Sequence, residues 1–231
     1  MGSESCRALE EDPDVEVVAR VGHGDPLSRL VDEDASVALE FTTPSSVKDN
    51  VRFCLSNRIH VVVGATGLTE ADLDDVRSWC GDFGVNALVA PNFALGAVLM
   101  MTFAAQAARH FDTAEIVERH HTGKPDAPSG TALRTARLMS EARGRPWAEP
   151  AGTESLEGSR GGNAGGVRIH SLRVPGSVAH QEVVLGSAGE TLTIRHDSVD
   201  RQCFMPGVLL AVKKVADLGG LVVGLENLLE L

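Results

Sequence analysis

The first ninety residues alternate short apolar runs with helix-like stretches, and this alternation constrains the fold more than any other feature of the sequence. Residues Ile59–Gly64 form an Ile/Val-rich run, which is typical of a parallel strand buried on both faces. The other predicted strands are Val15–Val21, Ser36–Thr42 and Asn86–Ala90. The predicted helices are Pro44–Asn57, with proline at its start, and Thr69–Cys80, with a capping threonine and acids in its first turn. Alternating elements of these lengths predict an α/β fold with a doubly wound parallel sheet.

The pattern changes in the second half of the chain. After predicted helix Gly96–Arg109, the predicted elements are strand Thr113–Arg119, helix Ser129–Ala142, the Gly-rich loop Glu157–Gly166 and three alternating runs at Val167–Val174, Ala179–Leu185 and Glu190–Asp197. Consecutive strands predict a mixed or mostly antiparallel sheet in a second domain. Open sheets of this kind commonly pack against a copy of themselves, so we expect a homo-oligomer. The last segment, helix Met205–Ala216 and tail Leu221–Leu231, is predicted to return to the first domain.

Three loops that follow strands of the parallel sheet are candidates for a ligand site. They are Phe41–Pro44, Gly64–Gly67 and Ala90–Phe93. In open parallel sheets, ligands bind beyond the carboxyl ends of the strands. Each loop offers small residues, hydroxyl groups or backbone amides, and each alone is explained equally well as a plain strand-to-helix turn. Together the loops predict a nucleotide site, with a purely structural role as the alternative.

The segment Glu118–Thr131 gathers two histidines, a lysine and a Ser-Gly-Thr turn within fourteen residues. Histidine exchanges protons near neutral pH, and lysine supplies a fixed cation or a proton. The turn Pro128–Thr131 precedes a run of helical periodicity, so it predicts a helix N-terminus whose backbone N–H groups bind carboxylate or phosphate. The combination indicates a site that binds and protonates a small polyanion. The alternative is an ordinary surface loop, which is favoured for His121 taken alone.

Composition excludes several classes of partner. The formal net charge of −11 leaves no extended basic surface, so we expect neither nucleic acid nor an anionic membrane as a partner. The four cysteines, Cys6, Cys54, Cys80 and Cys203, show no CxxC pair, which predicts reduced thiols and no metal site. We expect no secretory leader, and the sequence has no apolar run approaching eighteen residues. We therefore expect a cytoplasmic protein of one large or two small domains.

The residues from Glu118 to Ala132 carry the pattern Glu-x-His-His-x-x-Lys-x-Asp-Ala-Pro-Ser-Gly-Thr-Ala without a gap. Through this motif the whole chain resembles the dihydrodipicolinate reductases, also called 4-hydroxy-tetrahydrodipicolinate reductases, and looks most like their actinobacterial branch. The supporting segments are Gly64–Gly67, Ala90–Phe93, Ala179–Glu182 and Gly189–His196 leading to Arg201.

The resemblance implies a Rossmann-like domain, lacking its first strand in this chain, and an α+β domain with an open mixed sheet. Residues 1–93, completed by 202–231, would form the dinucleotide-binding domain, and residues 94–201 the substrate-binding and oligomerisation domain. The implied activity is the reduction of a cyclic dicarboxylate, 4-hydroxy-tetrahydrodipicolinate, to tetrahydrodipicolinate with NADH or NADPH, in lysine and diaminopimelate biosynthesis. The implied assembly is a homotetramer in the cytoplasm.

The resemblance also assigns roles to residues. His120 would be the general acid/base, and Lys124 the proton donor that also faces a substrate carboxylate. The substrate would be bound by His121, Ser129, Gly130, Thr131 and Arg201. The cofactor-binding residues would be Gly2, Phe41, Thr42, Gly64, Ala65, Thr66, Gly67, Ala90, Pro91, Asn92 and Phe93. For Arg201, Arg173 and His180, a salt-bridge or packing role is as well supported as substrate contact.

The chain departs from the family pattern at its start. Family members begin with a strand and a Gly-x-x-Gly-x-Met/Val-Gly turn, of which Met1-Gly2 and the helix that follows match the end. That strand would lie at the centre of the sheet, so its loss would leave a slot. Two explanations are open: a start assigned to an internal methionine, or a truncated, catalytically impaired paralogue that keeps dicarboxylate binding and oligomerisation.

Two further points leave alternatives open. Val21–Gly24 stands where an acid commonly binds the adenosine ribose, so the choice of NADH or NADPH is not fixed, and His23 or Arg20 could accept a ribose phosphate. Ala65 stands where threonine is common, and Thr66 could replace it. A hydrolase with His120 and His121 as metal ligands is a weaker alternative, because adjacent strand residues point apart and no third ligand follows at helical spacing.

Overall fold

The computed structural model describes residues 1–229, and the chain divides into two compact units. The first unit contains Met1–Leu95 together with the chain from Arg201 onward. The second unit contains Gly96–Asp200. The chain thus leaves the first unit, builds the second and returns, so the first unit is discontinuous in sequence.

In chain order, the helices and strands are α1 Gly2–Glu10, α2 Ser28–Asp32, β1 Val37–Glu40, α3 Val47–Ser56, β2 His60–Val63, α4 Glu70–Phe83, β3 Ala87–Val89, α5 Leu95–Ala108, β4 Thr113–His120, α6 Gly130–Arg143, β5 Gly162–Ala164, β6 Val167–Arg173, β7 Ala179–Ser187, β8 Glu190–Ser198, α7 Met205–Lys214 and β9 Leu221–Val223. Short 3-10 turns occur at Arg201–Phe204, Val215–Asp217 and Leu225–Leu228. None of the helices within residues 1–229 combines the length and apolar character needed to cross a membrane.

The first unit is built on a parallel sheet with strand order β1-β2-β3-β9. Val61, Val62 and Val63 of β2 are all fully buried. Successive strand residues point to opposite faces, and Val61 and Val63 pack into one core cluster with residues of α3 and α4. These residues are Val47, Val51, Cys54, Leu55, Val76 and Cys80. Since Val62 is buried on the other side, β2 is covered on both faces, and the predicted α/β parallel sheet is confirmed.

The predicted strand at Val15–Val21 is wrong. Its side chains alternate between half-buried and exposed, as in a half-covered strand, but the segment belongs to neither sheet of the described chain. A β-strand is defined by backbone hydrogen bonds to a neighbouring strand, and none of the described strands pairs with this segment. β1 ends the sheet on one side. The alternation of apolar residues in Val15–Val21 therefore marks an extended segment that is partly buried on one side but is not part of either described sheet.

Sequence reasoning also missed three short elements, α2, β5 and β9. β5 falls inside the predicted Gly-rich loop, where glycines and small residues give no alternation to detect. β9 is a short run in the C-terminal tail that pairs in parallel with β3. Its position is set by a partner strand more than a hundred residues earlier, which local periodicity does not reveal.

The second unit contains a five-stranded sheet with order β5-β6-β4-β7-β8. β4 pairs in parallel with β6, whereas the other pairings are antiparallel, so the predicted mixed sheet is confirmed. One face carries Ala114 and Ile116, which pack with Ala104 of α5 and with Ala136 and Met139 of α6. The opposite face, termed the open face, bears a shallow cavity of about 410 Å³. Its lining residues are Thr113, Glu115, Val117, His170, Val184, Gly186 and Thr191.

The N-terminus of α4 yields a stability prediction. Thr69 Oγ1 accepts a hydrogen bond from the Asp72 N–H at 3.2 Å, and Asp72 Oδ2 accepts one from the Thr69 N–H at 2.8 Å. Thr69→Ala removes half of this capping box and should lower the free energy of unfolding by about 1 kcal/mol. Thr69→Ser keeps the hydroxyl and serves as the control. Urea unfolding followed by circular dichroism measures the difference, and an unchanged midpoint in Thr69→Ala would contradict the assignment.

Candidate active site

The carboxyl end of β4 gathers the charged residues of the Glu118–Thr131 motif. Alternation along the strand places Glu118 and His120 on the same face as Ile116, the face that packs with α6. The chain then forms a loop, His121–Pro128, and enters α6 with Ser129 as the N-cap. The local sequence thus folds into a strand end, a short loop and a helix start.

Glu118 is a fully buried carboxylate with five hydrogen-bond donors around it, one of which is the Ser171 side chain. Arg173 Nη1 and Nη2 donate to Oε2 and Oε1, each at 2.9 Å. The Ser129 N–H donates to Oε1 at 3.2 Å, and His120 Nδ1 lies 2.5 Å from Oε2. The parallel register pairs His120 of β4 with Arg173 of β6, which explains why the guanidinium reaches Glu118.

The charges in this network set its protonation state. Burial raises the pKa of the Glu118 carboxyl, but hydrogen bonds from Arg173, Ser171 and His120 outweigh it, so this pKa lies below its ordinary value. Burial lowers the pKa of His120, and the nearby cations Lys124 and Arg173 lower it further. The Glu118 carboxylate raises this pKa but does not outweigh them, so the pKa lies below its ordinary value. At neutral pH the site therefore holds an ionised Glu118 beside a mainly neutral imidazole.

Lys124 lies in the His121–Pro128 loop, with its side chain 21% exposed. Its Nζ donates to Asp126 Oδ1 at 2.8 Å, and this hydrogen bond lowers the pKa of the Asp126 carboxyl. The Asp126 carbonyl accepts a hydrogen bond from Arg173 Nη2 at 2.6 Å. The guanidinium that holds Glu118 therefore also anchors the loop that carries Lys124.

The start of α6 supplies the remaining predicted substrate groups. Ser129 is buried, its Oγ accepts from the Ala132 N–H at 3.1 Å, and its own N–H is bonded to Glu118. Gly130 is exposed, and a Cβ added there would meet nothing within 4 Å. First-turn amides have no intrahelical acceptor, so the backbone of Gly130 is open to an anion, beside half-buried Thr131. Both the amide and the hydroxyl of Ser129 therefore have structural partners in this arrangement.

Two other predicted substrate residues lie outside this network. His121 is exposed, and its carbonyl accepts from the Lys124 N–H at 3.2 Å. Arg201 is also exposed and begins the Arg201–Phe204 turn of the first unit. Within residues 1–229, no group of three or more His, Cys, Asp or Glu side chains is arranged to hold a metal ion.

The predicted cofactor loops lie at one edge of the parallel sheet in the first unit. The ends of β1, β2 and β3 are level, because Glu40 pairs with Val63 and Val63 pairs with Val89. The rings of Phe41 and Phe93 meet edge to face, with centroids 5.5 Å apart. Gly64 lies against both rings: an added Cβ would come within 2.6 Å of Phe93 and would overlap Phe41. The loops are packed together, and glycine is required where they meet.

Several amides that the sequence offers as ligand donors are already used. The N–H groups of Gly64 and Ala65 donate to the Glu40 carbonyl at 2.9 and 3.2 Å, and the Ala90 N–H donates to Val63 at 2.9 Å. The Thr42 N–H donates to the Glu40 carboxylate at 2.7 Å. The exposed residues of these loops are Thr42, Thr43, Pro44, Thr66, Gly67 and Pro91.

Glu40 is a residue that sequence reasoning missed. Its carboxylate is nearly buried and accepts hydrogen bonds from Thr42 and from Asn50 Nδ2, the latter at 2.9 Å. These bonds fix the start of the Phe41–Pro44 loop against α3. The available signal was a carboxylate at the last position of an otherwise apolar strand.

In the first unit, helix α1 begins at Gly2, and its N-cap residue Met1 makes no side-chain hydrogen bond to the first-turn amides. Amides in the first turn of a helix are groups that can bind anions. Near residue 22, the Gly22 N–H donates to Asp25 Oδ2 at 2.8 Å, while Arg20 pairs with Glu10. Asp25 thus follows directly after Val21–Gly24, and Arg20, one of the two residues considered for a ribose phosphate, already has a carboxylate partner. Level strand ends, packed glycine loops and an uncapped helix fit a dinucleotide.

The fold, with a Rossmann-like unit and a mixed-sheet unit, places the chain in the class of nucleotide-dependent oxidoreductases. The chain belongs to the dihydrodipicolinate reductase family. Residues 1–93 match the family model "Dihydrodipicolinate reductase, N-terminus", and residues 96–229 match "Dihydrodipicolinate reductase, C-terminus".

Similar proteins agree with this assignment over the whole chain. A 4-hydroxy-tetrahydrodipicolinate reductase of Mycolicibacterium gilvum is 52% identical over 233 residues, covering 100% of this chain and 95% of the relative. The enzyme of the same name from Streptomyces griseus is 50% identical, covering 100% and 94%. A solved structure, dipicolinate-bound dihydrodipicolinate reductase from Paenisporosarcina sp. TG-14, has a TM-score of 0.87 at 38% identity, covering 99% of this chain and 95% of that one.

The tight contact at Gly64 yields a prediction. Gly64→Ala would force the Phe41 and Phe93 rings apart and should cost about 1–3 kcal/mol of stability, because overpacked cores are strained. The control is Gly81→Ala within α4, where an added Cβ meets nothing and alanine favours the helix. Calorimetry should show a lower melting temperature for Gly64→Ala alone. Two equally stable variants would show that the loops are not packed as described.

Proposed function

We propose that this chain catalyses the reduction of 4-hydroxy-tetrahydrodipicolinate to tetrahydrodipicolinate with NADH or NADPH, in lysine and diaminopimelate biosynthesis in the cytoplasm. The observation that carries the proposal is the second unit's assembly of His120, Lys124 and the α6 N-terminus around buried Glu118. Family membership and the names of the relatives support the same reaction.

The two carboxylates of the substrate suit two different anion sites. Lys124 offers an ammonium, which binds a carboxylate as a point charge. The start of α6 offers the backbone of Gly130, the hydroxyl of Ser129 and Thr131. His121 and Arg201 would add hydrogen bonds to the substrate. The solved relative from Paenisporosarcina is bound to dipicolinate, which is a ligand of the same dicarboxylate class.

The first unit would hold the nicotinamide dinucleotide. The residues proposed for this are Gly2, Phe41, Thr42, Gly64, Ala65, Thr66, Gly67, Ala90, Pro91, Asn92 and Phe93. When bound, the dinucleotide supplies the hydride equivalent of the reduction. Gly64, Ala65 and Ala90 would act mainly by shaping the loops, because their amides are bonded within the sheet.

The second unit would supply the proton. Reduction of a conjugated C=C–C=N system leaves negative charge on the atom next to the reduced one, and that atom must be protonated. Lys124 is a cationic donor, and His120, whose pKa is lowered mainly by burial, is a neutral imidazole at pH 7 that can accept a proton and pass it on. Cations that neutralise the substrate carboxylates also make the ring easier to reduce. Loss of water from the hydroxylated precursor would use the same acid/base.

The role of Lys124 is tested by Lys124→Ala. Loss of the donor and of one carboxylate contact should reduce kcat by about 10²- to 10⁴-fold. The affinity for NADH, measured by fluorescence titration, should stay within about twofold of the wild type, because the nucleotide loops lie in the other unit. Lys214→Ala, which removes an exposed lysine of α7, is the matched control. Equal losses of turnover and of nucleotide affinity would refute the assigned role.

We also infer a homotetramer that forms through the open face of the mixed sheet. This face carries half-buried Val117 and Val184 and the 39% exposed Leu172. It also carries paired charges, with His170 Nε2 2.8 Å from the Glu115 carboxylate and His180 Nδ1 2.6 Å from Asp197. A surface with apolar residues and with charged side chains that are already paired is suited to packing against the same surface of a second copy of the chain.

The assembly is tested by Val184→Glu, which places a charge among the residues that line the open-face cavity. The variant should sediment as smaller species while the wild type sediments as a four-chain particle, because an unpaired charge in an interface is strongly unfavourable. Leu156→Glu, at a side chain 75% exposed, is the control and should leave the assembly intact. A wild-type monomer in sedimentation velocity would refute the tetramer.

A further inference from the structure

We propose that Glu118 and Arg173 form a positioning pair that holds the proton of His120 on Nδ1 and leaves Nε2 as the atom that exchanges a proton with the substrate. This inference rests on the proposed function for the role of His120, but the hydrogen-bond network on which it stands is independent of the reaction. Neither residue is expected to touch the substrate.

The tautomer follows from the donors around Glu118. An ionised carboxylate accepts hydrogen bonds and donates none. Glu118 is completely buried, and Oε2 lies 2.5 Å from His120 Nδ1 and 2.9 Å from Arg173 Nη1. Since Oε2 cannot donate, Nδ1 must carry the hydrogen of this bond. The neutral ring then has its lone pair on Nε2.

Arg173 keeps Glu118 in the ionised state that this requires. Burial alone favours the protonated acid, and a protonated Glu118 could donate to Nδ1 and reverse the tautomer. The two-pronged guanidinium contact supplies the compensating charge. Arg173 is held in turn by the carbonyls of Leu172 and Asp126, at 2.8 and 2.6 Å. Arg173 therefore fixes the His120 ring through Glu118, and it fixes the loop that carries Lys124 through the Asp126 carbonyl.

The charges that face His120 come from several elements. Glu118 lies on its own strand, Arg173 on β6, and Lys124 on the His121–Pro128 loop with Asp126 as its partner. The adjoining strand β7 contributes the neutral Gln181 opposite Glu118, and the first turn of α6 carries no acidic residue. Glu118 is thus the anion that stabilises a charged imidazole here, opposing burial and two cations. Its neutralisation should lower the pKa of His120 further.

The test measures the tautomer and pKa of His120 directly in the intact protein. Protein labelled with ¹⁵N-histidine is titrated by NMR as wild type, Glu118→Gln and Arg173→Lys, and His120→Gln identifies the His120 signals. The wild type should show the Nδ1–H tautomer. Glu118→Gln should show a larger share of the Nε2–H form and a lower pKa, because a neutral amide can donate to Nδ1. Arg173→Lys keeps the positive charge but cannot donate to both carboxylate oxygens as the guanidinium does. Its tautomer ratio and its His120 pKa should lie between those of the wild type and of Glu118→Gln.

A matched control comes from the same strand. Glu115 holds His170 Nε2 at 2.8 Å on the opposite face of β4. Glu115→Gln should change the signals of His170 and leave those of His120 as in the wild type. A change in His120 in both variants would indicate a general disturbance of the sheet and would overturn the specific pairing.

Steady-state kinetics supply the second readout. Glu118→Gln should reduce kcat by about 10²- to 10⁴-fold, as expected when a catalytic histidine is held in the wrong tautomer, and should move the His120 limb of the pH–rate profile to lower pH. The KM for the nucleotide should be unchanged. Reduced turnover with an unaltered tautomer and pH profile would show that Glu118 is structural and would overturn the proposal.

The two proposals fail in different ways. If His120 of the wild type is found in the Nε2–H tautomer, the positioning pair is overturned even when reductase activity is high. This readout uses the wild type alone, so it remains available if Glu118→Gln does not fold. A wild type with the Nδ1–H tautomer but no reductase activity refutes the proposed function and leaves the pair in place.

Discussion

The buried ion pair of Glu118 and Arg173 is the interaction on which the rest of the second unit's site depends. It joins two parallel strands, and through Ser129 and Asp126 it also fixes the start of α6 and the loop before it. Removing one partner of such a pair leaves an uncompensated charge and typically costs about 3–5 kcal/mol. Replacing both Glu118 and Arg173 by apolar residues would avoid the cost of an unpaired buried charge. His120 Nδ1 would then lose the carboxylate that accepts its hydrogen bond. The pair is therefore better explained by the orientation it imposes than by the stability it adds.

The two units use a related device with different chemistry. In the first unit, Glu40 is buried at the end of β1 and accepts hydrogen bonds from neutral groups of Thr42 and Asn50. In the second, Glu118 near the end of β4 is satisfied mainly by a guanidinium. Each carboxylate fixes the backbone beyond a strand, where a loop proposed to bind a ligand begins. Neutral donors suffice where a loop must only be shaped, whereas an ion pair also sets the protonation state of a neighbouring histidine.

Much of this could be predicted from the sequence, because the signals were local. The apolar run at Ile59–Gly64 correctly indicated a strand covered on both faces, and the Ser-Gly-Thr turn indicated the start of α6. Val15–Val21 misled because alternation reports burial, whereas a strand needs a partner for its hydrogen bonds. The contact of Arg173 with Glu118 spans 55 residues and depends on strand register. No local pattern encodes that register. Sequence reasoning therefore singled out Glu118 in the motif and a salt-bridge role for Arg173, but it did not predict that the two pair.

The contact of Lys124 with Asp126 has a consequence for how a ligand enters. The ammonium already has a carboxylate partner at 2.8 Å, supplied by its own loop. An ammonium has three N–H donors, so under the proposed function a substrate carboxylate can bind Lys124 beside Asp126 without displacing it. Because Asp126 already balances part of the charge, binding at this position should depend less on ionic strength than binding to a lysine with no carboxylate partner.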